Sequence, residues 1–252
     1  MLRDTPPPYR TIVFDCDSTL SAIEGIDELA GGELGSAQRA RIEELTNRAM
    51  DGSLALEAVY GLRLELVRPT RARVERLGAE YVERAVPEAK ELVRALQALG
   101  KRVVIVSGGV APAVRALARE LGVPAVDVHA VELRFAADGA YAGFDERSPL
   151  ARSGGKVQVL RALGAAETAR PLALVGDGQT DLEAGEAEDG ADRFVAYGGV
   201  VRRAAVFERA RVACATKSLA GLVPLLLSDA EIATLSRAPE HAALLRAARP
   251  TS

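Results

Sequence analysis

Two aspartates that stand one residue apart are the residues in this chain with the clearest capacity for chemistry. Asp15-Cys16-Asp17 directly follows the apolar run Ile12-Val13-Phe14, which is typical of a buried strand. Residues i and i+2 of a strand lie on the same side, so both carboxylates could face one site. Two carboxylates this close need a cation or a proton to coexist. The pair is therefore a candidate catalytic centre; taken alone, it could also be two turn or helix caps.

Two more apolar runs end in residues that could join this site. The run 103–106 continues into Ser107-Gly108-Gly109, and the run 172–175 into Gly176-Asp177-Gly178, while Lys156 stands at a glycine-rich helix start. The carboxyl ends of parallel strands meet at one edge of a sheet, so we expect these motifs to converge. Each alone has a simpler interpretation: a helix cap, a tight turn and a solvated surface lysine.

Together these groups have the chemistry that phosphoryl transfer requires. Carboxylate oxygens are ligands that Mg²⁺ prefers. A serine hydroxyl and backbone N–H groups at a glycine-rich helix start bind phosphate oxygens. A lysine neutralises charge while the phosphoryl group moves.

The order of elements predicts an α/β fold. Residues 22–84 have a helical pattern with no convincing strand, and Pro69-Thr70 interrupts them. From Pro87 onward helices and apolar strands alternate, which predicts a doubly wound parallel sheet with right-handed crossovers. Asp138-Gly139, flanked by short β-like runs, predicts a hairpin. Residues from about 228 onward are helical in pattern.

Composition limits the class of protein. The chain has 252 residues, of which 48% are hydrophobic and 27% charged, and a net charge of -3. This predicts a globular enzyme and gives no electrostatic footprint for nucleic acid. Two cysteines offer no disulfide framework. The longest apolar run is far too short for a membrane helix, and the first residues lack the apolar segment of a signal peptide. We therefore expect a cytoplasmic protein without nucleic-acid or membrane partners.

Taken together, the motifs resemble those of the haloacid dehalogenase superfamily of phosphohydrolases. Within it, the similarity is greatest to the branch that hydrolyses phosphoserine. The resemblance runs from about residue 10 to 227 and implies a Rossmann-like core, residues 1–20 and 86–252, with a helical cap domain at 21–85 and a C-terminal helical extension at 228–252. The segments that carry it are Phe14-Asp15-Cys16-Asp17-Ser18-Thr19, Glu24-Gly25-Ile26-Asp27-Glu28-Leu29-Ala30, Arg48-Ala49-Met50, Arg63, Ser107-Gly108-Gly109, residues 146–156 and Gly176-Asp177-Gly178-Gln179-Thr180-Asp181.

The resemblance implies a role for each catalytic residue. Asp15 is the nucleophile that becomes an aspartyl-phosphate. Asp17 acts as general acid and then as general base. Lys156 bridges Asp15 and the phosphate. One Mg²⁺ ion per site binds the side chains of Asp15 and Asp177 and the main-chain carbonyl of Asp17.

The resemblance also implies how a substrate is bound. Phosphate oxygens are held by Ser107 and the Gly108 N–H, Asp181 supports the metal and the lysine, and Thr180 lies near the substrate. In the cap, Glu24 meets the substrate ammonium, Arg63 takes its carboxylate, and Met50 forms an apolar wall. The implied activity is Mg²⁺-dependent hydrolysis of L-phosphoserine to L-serine and phosphate, a step of serine biosynthesis, by a monomer or homodimer.

One departure from the family pattern concerns the substrate. Leu56 stands where the family usually has phenylalanine, which would leave a wider pocket wall and could admit a relative such as phosphothreonine. Two alternatives remain: a phosphatase or phosphotransferase for another small phosphorylated metabolite, and a non-catalytic binding protein. A dehalogenase is disfavoured because Asp17 has no obvious task in halide displacement.

Overall fold

The computed structural model describes residues 3–31 and 34–249, and within them a six-stranded parallel sheet lies at the centre. Its strand order is β3-β2-β1-β6-β7-β8, and every neighbouring pair is parallel. A separate antiparallel hairpin is formed by β4 and β5. The strands are β1 (Thr11–Phe14), β2 (Arg102–Val110), β3 (Val128–Val131), β4 (Leu133–Phe135), β5 (Tyr141–Phe144), β6 (Leu172–Gly176), β7 (Arg193–Tyr197) and β8 (Val212–Cys214).

Helices cover both faces of this sheet, as the continuous apolar runs of β1 and β6 require, since both strands are buried along their whole length. The predicted doubly wound α/β fold is confirmed. The α-helices are α1 (Gly25–Leu29), α2 (Ser36–Met50), α3 (Leu56–Val67), α4 (Arg71–Glu83), α5 (Ala89–Ala98), α6 (Ala111–Leu121), α7 (Gly155–Leu163), α8 (Gln179–Glu186), α9 (Ala204–Phe207), α10 (Val223–Leu226), α11 (Asp229–Leu235) and α12 (Ala242–Ala247).

The helices α1–α4, here called the insert, occupy the stretch predicted to be helical; its residues 32 and 33 lie outside the described part. The break predicted at Pro69-Thr70 separates α3 from α4, where the Thr70 hydroxyl accepts a hydrogen bond from Arg73 N at 3.2 Å. This side-chain bond satisfies one of the N–H groups that a helix start leaves free.

The apolar core continues from the sheet into the insert. Leu77 and Tyr81 of α4 belong to the same buried cluster as Phe14 of β1. A second cluster joins Tyr60 of α3 to Val13 on the opposite face of that strand. The apolar core is continuous across the proposed boundary, so packing does not mark where a cap domain would end. The division into a cap domain at 21–85 and a core domain stays a prediction.

The sequence did not predict β3 and β8. Both are edge strands, of four and three residues, with exposed or half-buried positions. His129 interrupts the apolar run of β3, and the apolar run of β8 is too short to indicate a strand. Strand β2 is also longer than predicted, because it continues through Ser107-Gly108-Gly109 to Val110 with an irregular register. Helix α5 begins at Ala89 rather than near Pro87, since Glu88 adopts a left-handed backbone with φ of 61°.

The C-terminal stretch is helical as predicted, and the structure gives it a role. Leu235 of α11 and Leu244 of α12 are buried in the first of the two clusters, and Glu231 pairs with the buried Lys101. These helices therefore cover apolar surface of the core. No helix among the described residues has the length and apolar character needed to cross a membrane.

Candidate active site

The predicted motifs meet at the carboxyl edge of the sheet. There β1 lies between β2 and β6, and from β1 the strand order runs through β2 and β3 on one side and through β6, β7 and β8 on the other. Ligands of open α/β sheets bind at such a switch point of the strand order. The predicted motifs surround one cavity, and a concave site with a few convergent polar groups is the usual form of a ligand site. Among the predicted residues Asp181 is the exception, because it is fully buried behind the wall. The predicted residues that line the cavity are Asp15, Asp17, Glu24, Met50, Arg63, Ser107, Gly108, Lys156, Asp177 and Thr180.

Lys156 connects two of the carboxylates at the floor of the cavity. Its Nζ lies 2.7 Å from Asp15 Oδ1 and 2.7 Å from Asp181 Oδ1. The other oxygen of Asp181 accepts a hydrogen bond from Gly178 N at 3.1 Å. Burial lowers the pKa of Lys156, but the two carboxylates outweigh it and raise the pKa above its usual value. Lys156 is therefore a fixed cation beside Asp15.

Three buried carboxylates could hold a metal ion. One oxygen each from Asp15, Asp177 and Asp181 lie within 4.8 Å of one another. Burial raises the pKa of Asp177 well above its usual value, against the nearby Arg203, and raises the pKa of Asp181 to about 7, against Lys156. An all-oxygen donor set with excess negative charge fits a hard divalent cation.

The two oxygens of Asp17 are both held by groups of the insert. Tyr81 donates its hydroxyl to Oδ1 at 2.6 Å, and the backbone N–H of Gly25 donates to Oδ2 at 2.9 Å. Burial first, and then the neighbouring Glu24, raise the pKa of Asp17 to about 7, although both hydrogen bonds oppose this. A carboxyl group that titrates near neutral pH can donate and accept a proton during one reaction cycle.

Tyr81 is a site residue that the sequence did not reveal. It follows Val74 and Leu77 at helical spacing on the buried face of α4, so the pattern indicates a core residue. The ring of Tyr81 is buried in the apolar core, and its hydroxyl is the part that reaches Asp17. The packing is close, because a Cβ on Gly25 would lie 2.1 Å from that hydroxyl oxygen.

Arg203 is the second residue that was missed. Its Nε donates to Asp177 Oδ2 at 2.9 Å, and its Nη2 lies 2.9 Å from Glu24 Oε1. Ser18 also donates to Glu24 Oε1, at 2.8 Å. Arg203 follows β7, whose carboxyl end is at the same edge of the sheet. Its place after the carboxyl end of a strand could have marked Arg203 as a site residue. The apolar run of β7 is weak, so the sequence did not make that strand end clear.

The insert closes over the cavity. Tyr60 of α3 donates its hydroxyl to Gly108 O at 2.7 Å, and Leu56 N donates to Ser153 Oγ at 3.1 Å. Arg63 is only 4% exposed, and its Nη1 donates to Thr46 Oγ1 at 2.6 Å. Within the described part of the chain, its Nε has no hydrogen-bond partner. A buried guanidinium whose N–H donors are not all hydrogen-bonded is suited to bind an anionic ligand.

This fold and site define a haloacid dehalogenase-like hydrolase. The model of that family matches residues 12–186, and the chain belongs to the family, as its motifs predicted.

Among individual proteins, the chain is similar to phosphoserine phosphatases. It is 40% identical over 200 residues to that of Homo sapiens, which covers 79% of this chain and 86% of the relative. It is also 40% identical over 195 residues to the chloroplastic enzyme of Arabidopsis thaliana, covering 77% of this chain and 65% of the relative.

Solved structures share the fold. A phosphoserine phosphohydrolase-like protein from Francisella tularensis superposes with a TM-score of 0.72 at 26% identity, over 90% of this chain and 99% of that protein. A substrate-bound phosphoserine phosphatase superposes with a TM-score of 0.71 at 24% identity, over 87% of this chain and 99% of that one.

Proposed function

We propose that this chain hydrolyses L-phosphoserine to L-serine and phosphate with Mg²⁺ as cofactor. One observation carries the proposal: a single cavity is lined by Asp15 and Lys156 and also by Glu24 and Arg63, whose charges are opposite. A phosphorylated amino acid presents a phosphate, an ammonium and a carboxylate, which these groups complement. The similarity to phosphoserine phosphatases supports this substrate.

The proposed reaction has two steps on Asp15. Its carboxylate attacks phosphorus, the phosphorus–oxygen bond to serine breaks, and the serine oxygen takes a proton from Asp17. Asp17 then takes a proton from water as the water oxygen attacks the aspartyl-phosphate, which releases phosphate and restores Asp15. Lys156 neutralises charge on the moving group, and Ser107 and the Gly108 N–H bind phosphate oxygens.

The side chains of Asp15 and Asp177 and the carbonyl of Asp17 would hold the Mg²⁺, with Asp181 in support. When bound, the ion screens the repulsion between a carboxylate nucleophile and an anionic phosphate. The buried oxygen donors described above support this assignment.

We predict that the metal-free protein loses stability as pH rises. Asp17 and Asp181 have folded-state pKa values of about 7, above the unfolded value, so their contribution is present at low pH and decreases from about pH 4 to about pH 7. Mg²⁺ favours the ionised forms of Asp177 and Asp181, whose pKa values burial raises, so it should raise Tm more at about pH 8 than at about pH 5, by at least about 5 °C. Thermal unfolding with EDTA or Mg²⁺ measures this; an equal Mg²⁺ shift at both pH values would contradict it.

Phosphate release from a panel of phosphomonoesters in the presence of Mg²⁺ tests the proposed function. We expect phosphoserine to have the highest kcat/KM. A wild-type protein that releases no phosphate from any small phosphomonoester would refute the proposal.

Phosphothreonine is a second candidate substrate, because Leu56 lines the cavity where a larger side chain would narrow it. We predict that Leu56→Phe lowers kcat/KM for phosphothreonine several-fold relative to phosphoserine, since one extra methyl group meets a smaller pocket. The ratio of the two kcat/KM values in variant and wild type measures the effect. An unchanged ratio would show that Leu56 does not set this selectivity.

A further inference from the structure

Three side chains, one from each of the first three helices of the insert, form a hydrogen-bonded chain that ends at the cavity. Asp27 lies on α1, Thr46 on α2 and Arg63 on α3. Arg63 Nη1 is 2.6 Å from Thr46 Oγ1, which is 2.5 Å from Asp27 Oδ1. Thr46 is 1% exposed and Arg63 4% exposed, so water does not compete for the bond between these two side chains, while Asp27 at the other end is half-buried.

The direction of each hydrogen bond follows from the available protons. A guanidinium can only donate, so the Thr46 oxygen accepts from Arg63. The single hydroxyl proton is shared between Asp27 Oδ1 at 2.5 Å and the carbonyl of Ile42 at 3.1 Å. A carboxylate is the stronger acceptor and the closer one. Thr46 therefore connects the positive charge of Arg63 to the negative charge of Asp27.

Thr46 is the one hydrogen-bonded anchor of Arg63 within residues 3–31 and 34–249. No carboxylate of that part lies within ion-pair distance of the guanidinium, and its Nε is buried without a partner. The centre of the Tyr60 ring lies 5.9 Å from the guanidinium carbon of Arg63. This contact limits the position of the guanidinium but does not fix how the group is rotated. One edge of the guanidinium is thus held by Thr46, and the remaining donors are left for a ligand.

We propose that Thr46 is a positioning residue that determines the preference for substrates carrying a carboxylate, by holding Arg63 against the half-buried charge of Asp27. This inference rests on the proposed function, in which Arg63 receives the substrate carboxylate. Thr46 itself does not line the cavity, so it acts through Arg63.

Thr46→Val tests this, because valine has nearly the same shape and lacks the hydroxyl. We expect KM for phosphoserine to rise about tenfold or more, as for loss of a hydrogen bond to a charged group, with little change in kcat. Phosphoethanolamine has the phosphate and the ammonium but no carboxylate. Its Ki as a competitive inhibitor should change less than about twofold, because the lost hydrogen bond supports only the carboxylate contact.

Two control variants separate positioning from a merely structural role. Thr46→Ser restores the hydroxyl and should return KM towards the wild-type value. Thr11→Val changes another buried threonine, whose hydroxyl has no partner in the described part and which lies at the opposite end of β1 from the site. It should leave both KM and Ki unaltered.

The possible outcomes are distinct. If Thr46→Val weakens both ligands in parallel, or weakens neither, the inference is wrong. If the wild type binds phosphoserine no more tightly than phosphoethanolamine, the assigned role of Arg63 in the proposed function fails, and this inference with it. If Thr46→Val does not fold, Asp27→Asn, which keeps an acceptor oxygen and removes the charge, should shift KM and Ki in the same pattern; parallel changes there would also overturn it.

Discussion

Replacing Asp15 with asparagine should abolish hydrolysis of phosphoserine, lowering kcat at least about 10³-fold, as removal of a covalent nucleophile does. Asparagine has the same shape but no anionic oxygen to attack phosphorus. Steady-state phosphate release with saturating Mg²⁺ measures the effect. A variant that retains more than a tenth of wild-type kcat would show that Asp15 is not the nucleophile.

Substrate binding provides the control for Asp15→Asn. Lys156 Nζ, now 2.7 Å from Asp15 Oδ1, can still donate to the amide oxygen, and the rest of the phosphate site is unaltered. Calorimetric titration with phosphoserine in EDTA, where the Mg²⁺-dependent wild type does not turn over, should therefore show affinity at least as high as that of the wild type, because one negative charge facing the phosphate has been removed. Loss of binding would mean that the variant disrupts the site instead of the chemistry.

Replacing Asp17 with asparagine should lower kcat for phosphoserine by about 10²- to 10⁴-fold, the usual contribution of a general acid or base. The amide cannot donate a proton to the serine oxygen or take one from water. Tyr81 can still donate to the amide oxygen, as it now does to the carboxylate at 2.6 Å. The Gly25 N–H loses its acceptor, because the amide nitrogen only donates, so Tyr81 is the contact that keeps the insert in place.

A good leaving group separates the two roles of Asp17. The p-nitrophenolate ion leaves without protonation, so Asp17→Asn should release it from p-nitrophenyl phosphate in a rapid burst and then stop, because hydrolysis of the phosphoenzyme still needs the base. Stopped-flow absorbance measures the burst against wild-type turnover. Equal slowing of the first step with phosphoserine and with the aryl ester would contradict the assignment of Asp17 as the general acid.

The sequence predicted the centre of the fold and the floor of the site because both depend on local patterns. Continuous apolar runs identify β1, the start of β2 and β6, and the rule that parallel strands share a carboxyl edge brings Asp15, Ser107 and Asp177 together. The structure places all three on one cavity. The hairpin at Asp138-Gly139 follows from its turn residues in the same way, and Gly139 has φ of 86°.

Residues that reach the site through long-range contacts could not be predicted in this way. Tyr81 and Asp17 are 64 positions apart, and Arg203 and Glu24 are 179 apart. Nothing near Tyr81 in the sequence distinguishes a site residue from a core tyrosine. Arg203 follows β7, but the apolar run of that strand is too weak to mark the arginine as a site residue. The hydroxyl contact from Thr46 to Arg63 joins two helices of the insert, and helical periodicity identifies Thr46 only as a buried position.

Rapid quenching of the wild-type enzyme with radiolabelled phosphoserine tests most directly whether Asp15 carries the phosphoryl group. The quenched protein should contain phosphate that is stable in acid and released by hydroxylamine, as an acyl phosphate is. Peptide mapping should place the label on Asp15, and Asp15→Asn should give none. An enzyme that turns over phosphoserine without any labelled protein, or with the label on another residue, would contradict an aspartyl-phosphate at Asp15.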